Sequence, residues 1–219
     1  MTFAKEAWPF VLPFVVLAAL LVLLGAPGSG AAALVVGVVI LLFFRNPKRR
    51  FAGNVELIEL ILSPGDGVIT RVDVIEDAAL GPGRWQRVVT FLSVFNVHVQ
   101  RAPATGEVIV SRYAAGKKVA AFREDAGDVN EKHLTVIRRA DGDLVGVRQI
   151  AGLLARRVVC YLKEGDRVER GQLMGVIKFG SRVDVLVPES YKVLVQKGDR
   201  VRDGLTPLAA PPAAGEHPR

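Results

Sequence analysis

A serine, a histidine and an aspartate, far apart in the chain, together supply what is needed to activate a hydroxyl. The serine is Ser181, in Lys178-Phe179-Gly180-Ser181-Arg182. The histidine is His98, within residues 91–103, and the aspartate is Asp66, in Ser63-Pro64-Gly65-Asp66-Gly67. Glycine at 180 leaves the carbonyl before Ser181 open to attack, so the chemistry to expect is attack by Ser181 on its own chain. Each residue also has an ordinary reading. Ser181 reads as a strand-edge serine, and Asp66 as turn chemistry. The other histidines are His133 in a polar stretch and His217 in a Pro/Ala-rich tail. Alternation through 91–99 sets Phe95, Val97 and Val99 on one face. It sets His98 on the opposite face with Asn96 and Gln100, away from an obvious core position.

The elements that must bring these groups together are strands. Alternating or β-branched runs predict strands at 57–62, 68–75, 87–99, 106–113, 134–139, 144–150, 157–162, 173–179 and 183–187. Asp141-Gly142 is the strongest hairpin signal in the chain. Past residue 50, only 114–124 and 150–155 have any helical character. The segment Gly165-Asp166-Arg167-Val168-Glu169-Arg170-Gly171 recurs as Gly198-Asp199-Arg200-Val201-Arg202-Asp203-Gly204. Paired turns of this kind predict a mainly β, barrel-sandwich-like domain of the sort used by biotinyl and lipoyl carriers. A carrier displays its lysine at a hairpin tip, typically between methionines, whereas Lys178 lies between Ile177 and Phe179.

Residues 8–24 and 31–44 are apolar throughout, separated by a glycine-rich break and followed by Arg45, Lys48, Arg49 and Arg50. A spanning helix needs roughly 20 residues, so the first run is just long enough and the second is short. Lys5 is offset by Glu6, and a second apolar run follows, which favours an N-terminal helical membrane hairpin over a cleaved signal peptide. The basic cluster then places the rest on the cytoplasmic side of a cell membrane. The expected division is 1–50, hairpin and basic flank, and 51–219, a β-rich catalytic domain. The formal net charge of +7 suits an anionic membrane surface. Aromatic residues are not interleaved with the basic ones, which argues against nucleic acid. A single cysteine, Cys160, excludes an intrachain disulfide and a cysteine metal cluster.

In order and spacing, Ser63–Gly67, the stretch Phe91-Leu92-Ser93-Val94-Phe95-Asn96-Val97-His98-Val99-Gln100-Arg101-Ala102-Pro103, and Phe179-Gly180-Ser181 resemble the phosphatidylserine decarboxylase proenzymes. The short bacterial or archaeal form is the better match, over about residues 45–205. Asn130-Glu131-Lys132-His133 is similar to a segment those proteins carry between the histidine motif and the cleavage site. Longer members have a second histidine three residues after the first, where this chain has Arg101. Their cleavage step is Leu-Gly-Ser-Thr, where this chain has Phe-Gly-Ser-Arg.

The resemblance implies self-processing. His98, oriented by Asp66, takes the Ser181 proton, and the Gly180–Ser181 amide becomes an ester. Elimination and hydrolysis then leave a pyruvoyl group formed from Ser181, with no metal. A large chain 1–180 and a small chain 181–219 would form a heterodimer or a higher oligomer of it. The pyruvoyl ketone would take phosphatidylserine as a Schiff base and release CO2 to give phosphatidylethanolamine. Asn130, Glu131 and Arg101 are the expected substrate contacts. The alternative is a membrane-tethered carrier or adaptor module without catalysis. An ordinary serine hydrolase is disfavoured, since Gly-x-Ser-x-Gly is missing around Ser181.

Overall fold

Alternating and β-branched runs build the strands of this chain, and two uniformly apolar stretches at its start build helices. The computed structural model describes residues 1–51, 59–117, 119–121, 123, 125–153, 157–178 and 181–212. They divide into two compact units, Met1–Lys48 and Arg49–Arg219.

In the first unit, β1 (Thr2–Phe3) is followed by α1 (Trp8–Leu23), α2 (Pro27–Phe43) and β2 (Arg45–Asn46), and β1 pairs antiparallel with β2. Pro9 lies in the first turn of α1, where its missing N–H has no helical partner to lose. The two helices pack closely at glycines. A Cβ on Gly30 would stand 2.9 Å from the Ala18 carbonyl oxygen, and one on Gly37 would stand 3.4 Å from Phe14. Small residues at such a seam let helix backbones approach without a water-driven force. Away from it, Leu12, Val16, Leu20, Val35 and Val39 are exposed, an outer surface suited to lipid. Lys5–Leu23 is long and apolar enough to cross a membrane; α2 is shorter.

The second unit contains β3 (Ile61–Leu62), β4 (Gly67–Glu76), β5 (Arg84–Leu92), β6 (Val99–Arg101) and β7 (Gly106–Ala114). A one-turn helix α3 (Ala126–Val129) precedes β8 (Lys132–Arg138), β9 (Leu144–Ala151) and β10 (Val158–Cys160). The chain then runs through β11 (Arg167–Val168), β12 (Leu173–Ile177), β13 (Ser181–Pro188), β14 (Lys192–Val193), β15 (Arg200–Val201) and β16 (Pro207–Ala210). Eight of these form a curled antiparallel sheet in the order β11-β7-β8-β9-β13-β5-β4-β15. Two three-stranded sheets, β10-β12-β6 and β14-β16-β3, complete the unit. The core includes Leu92, Ile137, Val147, Met174, Ile177 and Val183 in one cluster and Ile61, Ile69, Val88, Val185 and Leu208 in another. The domain is mainly β, as the strand patterns predict.

The repeated turns close the two edges of the large sheet. β11 pairs with β7 at one edge and β15 with β4 at the other. Asp166 accepts the Lys163 N–H at 2.7 Å, and Asp199 accepts the Gln196 N–H at 2.9 Å. Gly165 and Gly198 follow the same pattern, donating to Val108 and Ile69 carbonyls at 2.8 Å. Both have positive φ, 87° and 100°, which glycine adopts without the Cβ penalty.

Two strand readings change. The run 87–99 is not one strand, because Asn96 Oδ1 accepts both the Ser93 N–H (2.9 Å) and its hydroxyl (2.7 Å) and so turns the chain between β5 and β6. Side-chain hydrogen bonding here overrides β-propensity. The helix considered at 114–124 is not found among the described residues; one turn forms later, at α3. Ile150 and Ala151, at the start of the other helical candidate, belong to β9.

Candidate active site

Three segments leave the large sheet for the β10-β12-β6 sheet at a single place. On the large sheet, Ser181 of β13 is paired with Leu92 of β5 on one side and Ala151 of β9 on the other. On the small sheet, Ile177 pairs with Val158, and its N–H donates to the His98 carbonyl at 3.2 Å. Residues 93–98 lead from β5 to β6, and the described ends of the other two links, Ala151 and Val158, Ile177 and Ser181, lie beside the ends of this one. The histidine segment and the segment ending at Ser181 are neighbours at both ends. Gly180, with the carbonyl expected to be cut, lies outside the described residues, as do Phe179 and residues 154–156.

His98 and Ser181 are both fully buried. The alternation that put His98 off the core fails because the Ser93–Asn96 turn resets the register. Phe95 is instead the outward residue, 83% exposed. His98 Nδ1 lies 2.9 Å from the Asn96 carbonyl oxygen. A carbonyl can only accept, so Nδ1 carries the proton in this bond and Nε2 is the basic nitrogen of the neutral ring. Ser181 Oγ has no hydrogen-bond partner among the described residues. A buried hydroxyl that holds nothing in place fits a group that is consumed in a reaction.

Asp66 was expected to orient His98, and the structure gives it other partners. Its carboxylate binds the Arg49 guanidinium, at 2.9 Å for Oδ2, and accepts the Asp203 backbone N–H at 2.9 Å. Asp203 in turn binds Arg49 and, at 2.9 Å, Arg101. Arg101 also donates to the Gly171 carbonyl at 3.0 Å. His98 Nδ1 has its contact with the Asn96 carbonyl. Asp66 and Arg101 belong to a buried four-charge network at the other end of β6.

Asn130 and Glu131, the expected substrate contacts, hydrogen-bond the ends of β9 and β10. Asn130 Nδ2 donates to the carbonyls of Val119 (2.8 Å) and Ala151 (2.7 Å), and its Oδ1 accepts from Val119 N–H at 2.9 Å. The Glu131 carbonyl accepts from Ala151 N–H and its carboxylate from Val158 N–H, both at 2.9 Å. One residue thus ties the last residue of β9 to the first of β10, and Ala151 pairs with Ser181.

His133 is a second buried histidine, paired across β8–β9 with Gln149. Its ring nitrogens lie 3.4 Å from the Ser111 and Thr135 hydroxyls. Burial pushes its imidazole below the ordinary value of 6.5. The folded chain then binds this proton less readily than the unfolded chain, so the stability that His133 contributes above pH about 6.5 is lost as pH falls. Between pH 7 and pH 5, the thermal midpoint of the wild type should drop further than that of His133→Gln. Parallel curves by calorimetry would rule this out.

Sequence reasoning missed Asn96, Arg49 and Asp203. The repeat containing Asp203 was legible, but nothing in it marked that aspartate as a charge anchor. Among the described residues, no cluster of histidine, cysteine and carboxylate side chains could hold a metal.

Comparison with known proteins bears on the whole chain. The family model described as phosphatidylserine decarboxylase matches residues 37–209. The chain is 41% identical over 213 residues to the phosphatidylserine decarboxylase proenzyme of Symbiobacterium thermophilum, covering 95% of both. It is 38% identical over 207 residues to that of Syntrophus aciditrophicus, covering 94% of this chain and 95% of the relative. With that of Gluconobacter oxydans it shares 45% identity over 173 residues, 77% of this chain and 75% of the relative.

Proposed function

The chain belongs to the phosphatidylserine decarboxylase family, a family of decarboxylating enzymes, and on that premise we propose that it decarboxylates phosphatidylserine after cutting itself between Gly180 and Ser181. The observation that carries this reading is the buried Ser181 hydroxyl, which has no hydrogen-bond partner among the described residues and follows closely on Ile177, whose N–H donates to the His98 carbonyl.

The residues supply a balanced route. His98 Nε2 takes the proton from Ser181 Oγ, and Oγ bonds to the Gly180 carbonyl carbon. The Gly180–Ser181 C–N bond breaks, the nitrogen gains a proton, and an ester replaces the amide. Removal of the Ser181 Cα proton expels the Gly180 carboxylate, and hydrolysis of the resulting enamine, through its imine tautomer, releases ammonia. The pyruvoyl group left at 181 supplies an electrophilic ketone for the substrate amine and an electron sink for the carbanion left by CO2. His98 then holds the proton that the headgroup carbon regains. Asn96 keeps the imidazole in the required tautomer. Asn130 and Glu131 hold the ends of β9 and β10, and Asp66 and Arg101 anchor β6 rather than acting on the reacting atoms. The apolar hairpin keeps the enzyme with its lipid, and the Arg45–Arg50 cluster favours a catalytic unit on the cytoplasmic side.

Replacing His98 by alanine should slow the appearance of two fragments on a denaturing gel by roughly 10²–10⁴-fold, the usual range for a general base. Cleavage at the wild-type rate would remove His98 from that step. The cut halves should also stay together. The small chain would carry β13, which lies between β5 and β9, and its β15 and β16 pair with β4 and β3. Size exclusion under native conditions should therefore give one species containing both fragments; separate elution would contradict this topology.

A further inference from the structure

Ser181 is not alone in having an unmet polar atom. Thr90 Oγ1 and Gln149 Oε1 also have no hydrogen-bond partner among the described residues, and both side chains are fully buried. The strand registers bring them together: Thr90 of β5 and Gln149 of β9 stand opposite Val183 of β13, one on either side. Directly paired residues share a face of the sheet, and so do residues two apart along a strand. Thr90, Gln149, Val183 and Ser181 therefore project to the same side. Thr90 and Gln149 are each diagonal neighbours of Ser181, a separation of about 7–8 Å in a sheet, which a small group joined at 181 can bridge.

An unmet polar atom in a core destabilises the fold, so two of them flanking one position point to a ligand or an ordered water. The Gln149 amide is held in one orientation. Its Nε2 donates to Gln100 Oε1 at 2.9 Å, and Gln100 Nε2 donates to the His98 carbonyl at 2.6 Å. Gly175 makes room for it, since a Cβ there would stand 2.8 Å from Gln149 Nε2. The nitrogen end is thus committed, leaving an oxygen that can only accept, while the Thr90 hydroxyl can donate. One acceptor and one donor match an amino-acid headgroup, which offers N–H groups and a carboxylate.

We propose that Thr90 and Gln149 are the headgroup contacts of this site: the Thr90 hydroxyl donates to the substrate carboxylate, and Gln149 Oε1 accepts an N–H of the substrate amine. This rests on the serine-headed substrate assigned above. It also explains why two polar side chains are kept among Ile69, Val147 and Val183 although each has an oxygen without a hydrogen-bond partner among the described residues.

Thr90→Val keeps the side chain's shape and removes only the hydroxyl. If that hydroxyl has no partner in the protein, the thermal midpoint should rise by about 2–4 °C. Cleavage into two fragments should proceed as in the wild type. The kcat/KM for phosphatidylserine in detergent micelles should fall about 10–100-fold, with Thr90→Ser restoring most of it. A binding measurement separates the two contacts. Phosphatidylethanolamine micelles carry the amine without the carboxylate and should raise the midpoint of the mature wild type. That rise should survive in Thr90→Val and be lost in Gln149→Met.

Wild-type kcat/KM in Thr90→Val would mean that water fills the site, and would overturn the proposal. So would a lowered midpoint, which gives the hydroxyl a structural partner, or slowed cleavage with normal turnover of the matured fraction. The wild type serves as the separate control on function. If it is uncut or inactive on phosphatidylserine, the functional reading fails and the headgroup assignment with it; if it is active, the variants test the headgroup contacts alone.

Discussion

Replacement of Ser181 by alanine is expected to leave a single uncut chain of residues 1–219 with no decarboxylation of phosphatidylserine. The loss should be complete rather than partial, because the hydroxyl is both the attacking group and the source of the atoms that become the ketone. The structure also predicts that the variant folds. Ser181 Oγ is buried with no hydrogen-bond partner among the described residues, so its removal breaks no described contact and relieves an unmet polar atom. Intact mass and a thermal melt measure both halves of this expectation. A cut chain with fragment 181–219 would dismiss Ser181 as nucleophile. An uncut chain that had lost its stability would show that the hydroxyl has a structural role. Ser181→Cys retains a nucleophile at the position and should be cut more than the alanine variant.

Asp203→Ala should be the most damaging single substitution for stability, at about 3–5 kcal/mol, the range for removing one partner of a buried ion pair. The Asp203 side chain is fully buried, and the Arg49 and Arg101 side chains are 12% and 10% exposed. Burial, and after it the nearby Arg49 charge, already pulls the Arg101 guanidinium below its ordinary value. Removing the Asp203 carboxylate leaves Asp66 as the remaining carboxylate of this described network to oppose that repulsion. Against typical domain stabilities of roughly 5–15 kcal/mol, such a loss is a large fraction of the total. The network also spans the proposed cut: Asp203 would lie on the small chain, and Arg49, Asp66 and Arg101 on the large one. The damage should therefore appear in urea unfolding of the mature protein and in weaker retention of the small chain. A midpoint within experimental error of the wild type would show that Arg49 and Arg101 find other partners. Asp203→Asn, which keeps a side-chain acceptor, should fall between the two.

Local pattern was enough to read the strands at 68–75, 106–113 and 144–150, because each is a β-branched run bounded by turn residues, although irregularities interrupt β4 and β7 and β9 is buried on both faces. The repeated glycine turns were equally legible. A positive φ excludes most side chains, and an aspartate that closes the turn on its own backbone is a sequence-local device. The two apolar helices were readable because their runs are apolar on every face, the packed seam and the exposed side alike. Ser181 and His98 could be singled out from type, order and spacing, whereas the family assignment rests on similarity along most of the chain.

What alternation could not show was where it stops. A hydrogen bond from Ser93 to Asn96 breaks the run at 91–99, buries His98 and turns Phe95 outward. The partners of Asp66, a turn aspartate by sequence, depend on Arg49 and Asp203 arriving from opposite ends of the catalytic unit. Glu131 ties β9 to β10 only because Ala151 ends the one and Val158 begins the other within its reach. Thr90 and Gln149 carry no motif at all. Their side chains matter because pairing through β13 places both beside Ser181, and strand register is decided by long-range packing and turn geometry rather than by either segment alone. Sequence thus determined the candidate reacting groups and most of the strand segments. Tertiary structure decided which groups meet, because burial and pairing between distant segments are properties of the assembled sheets.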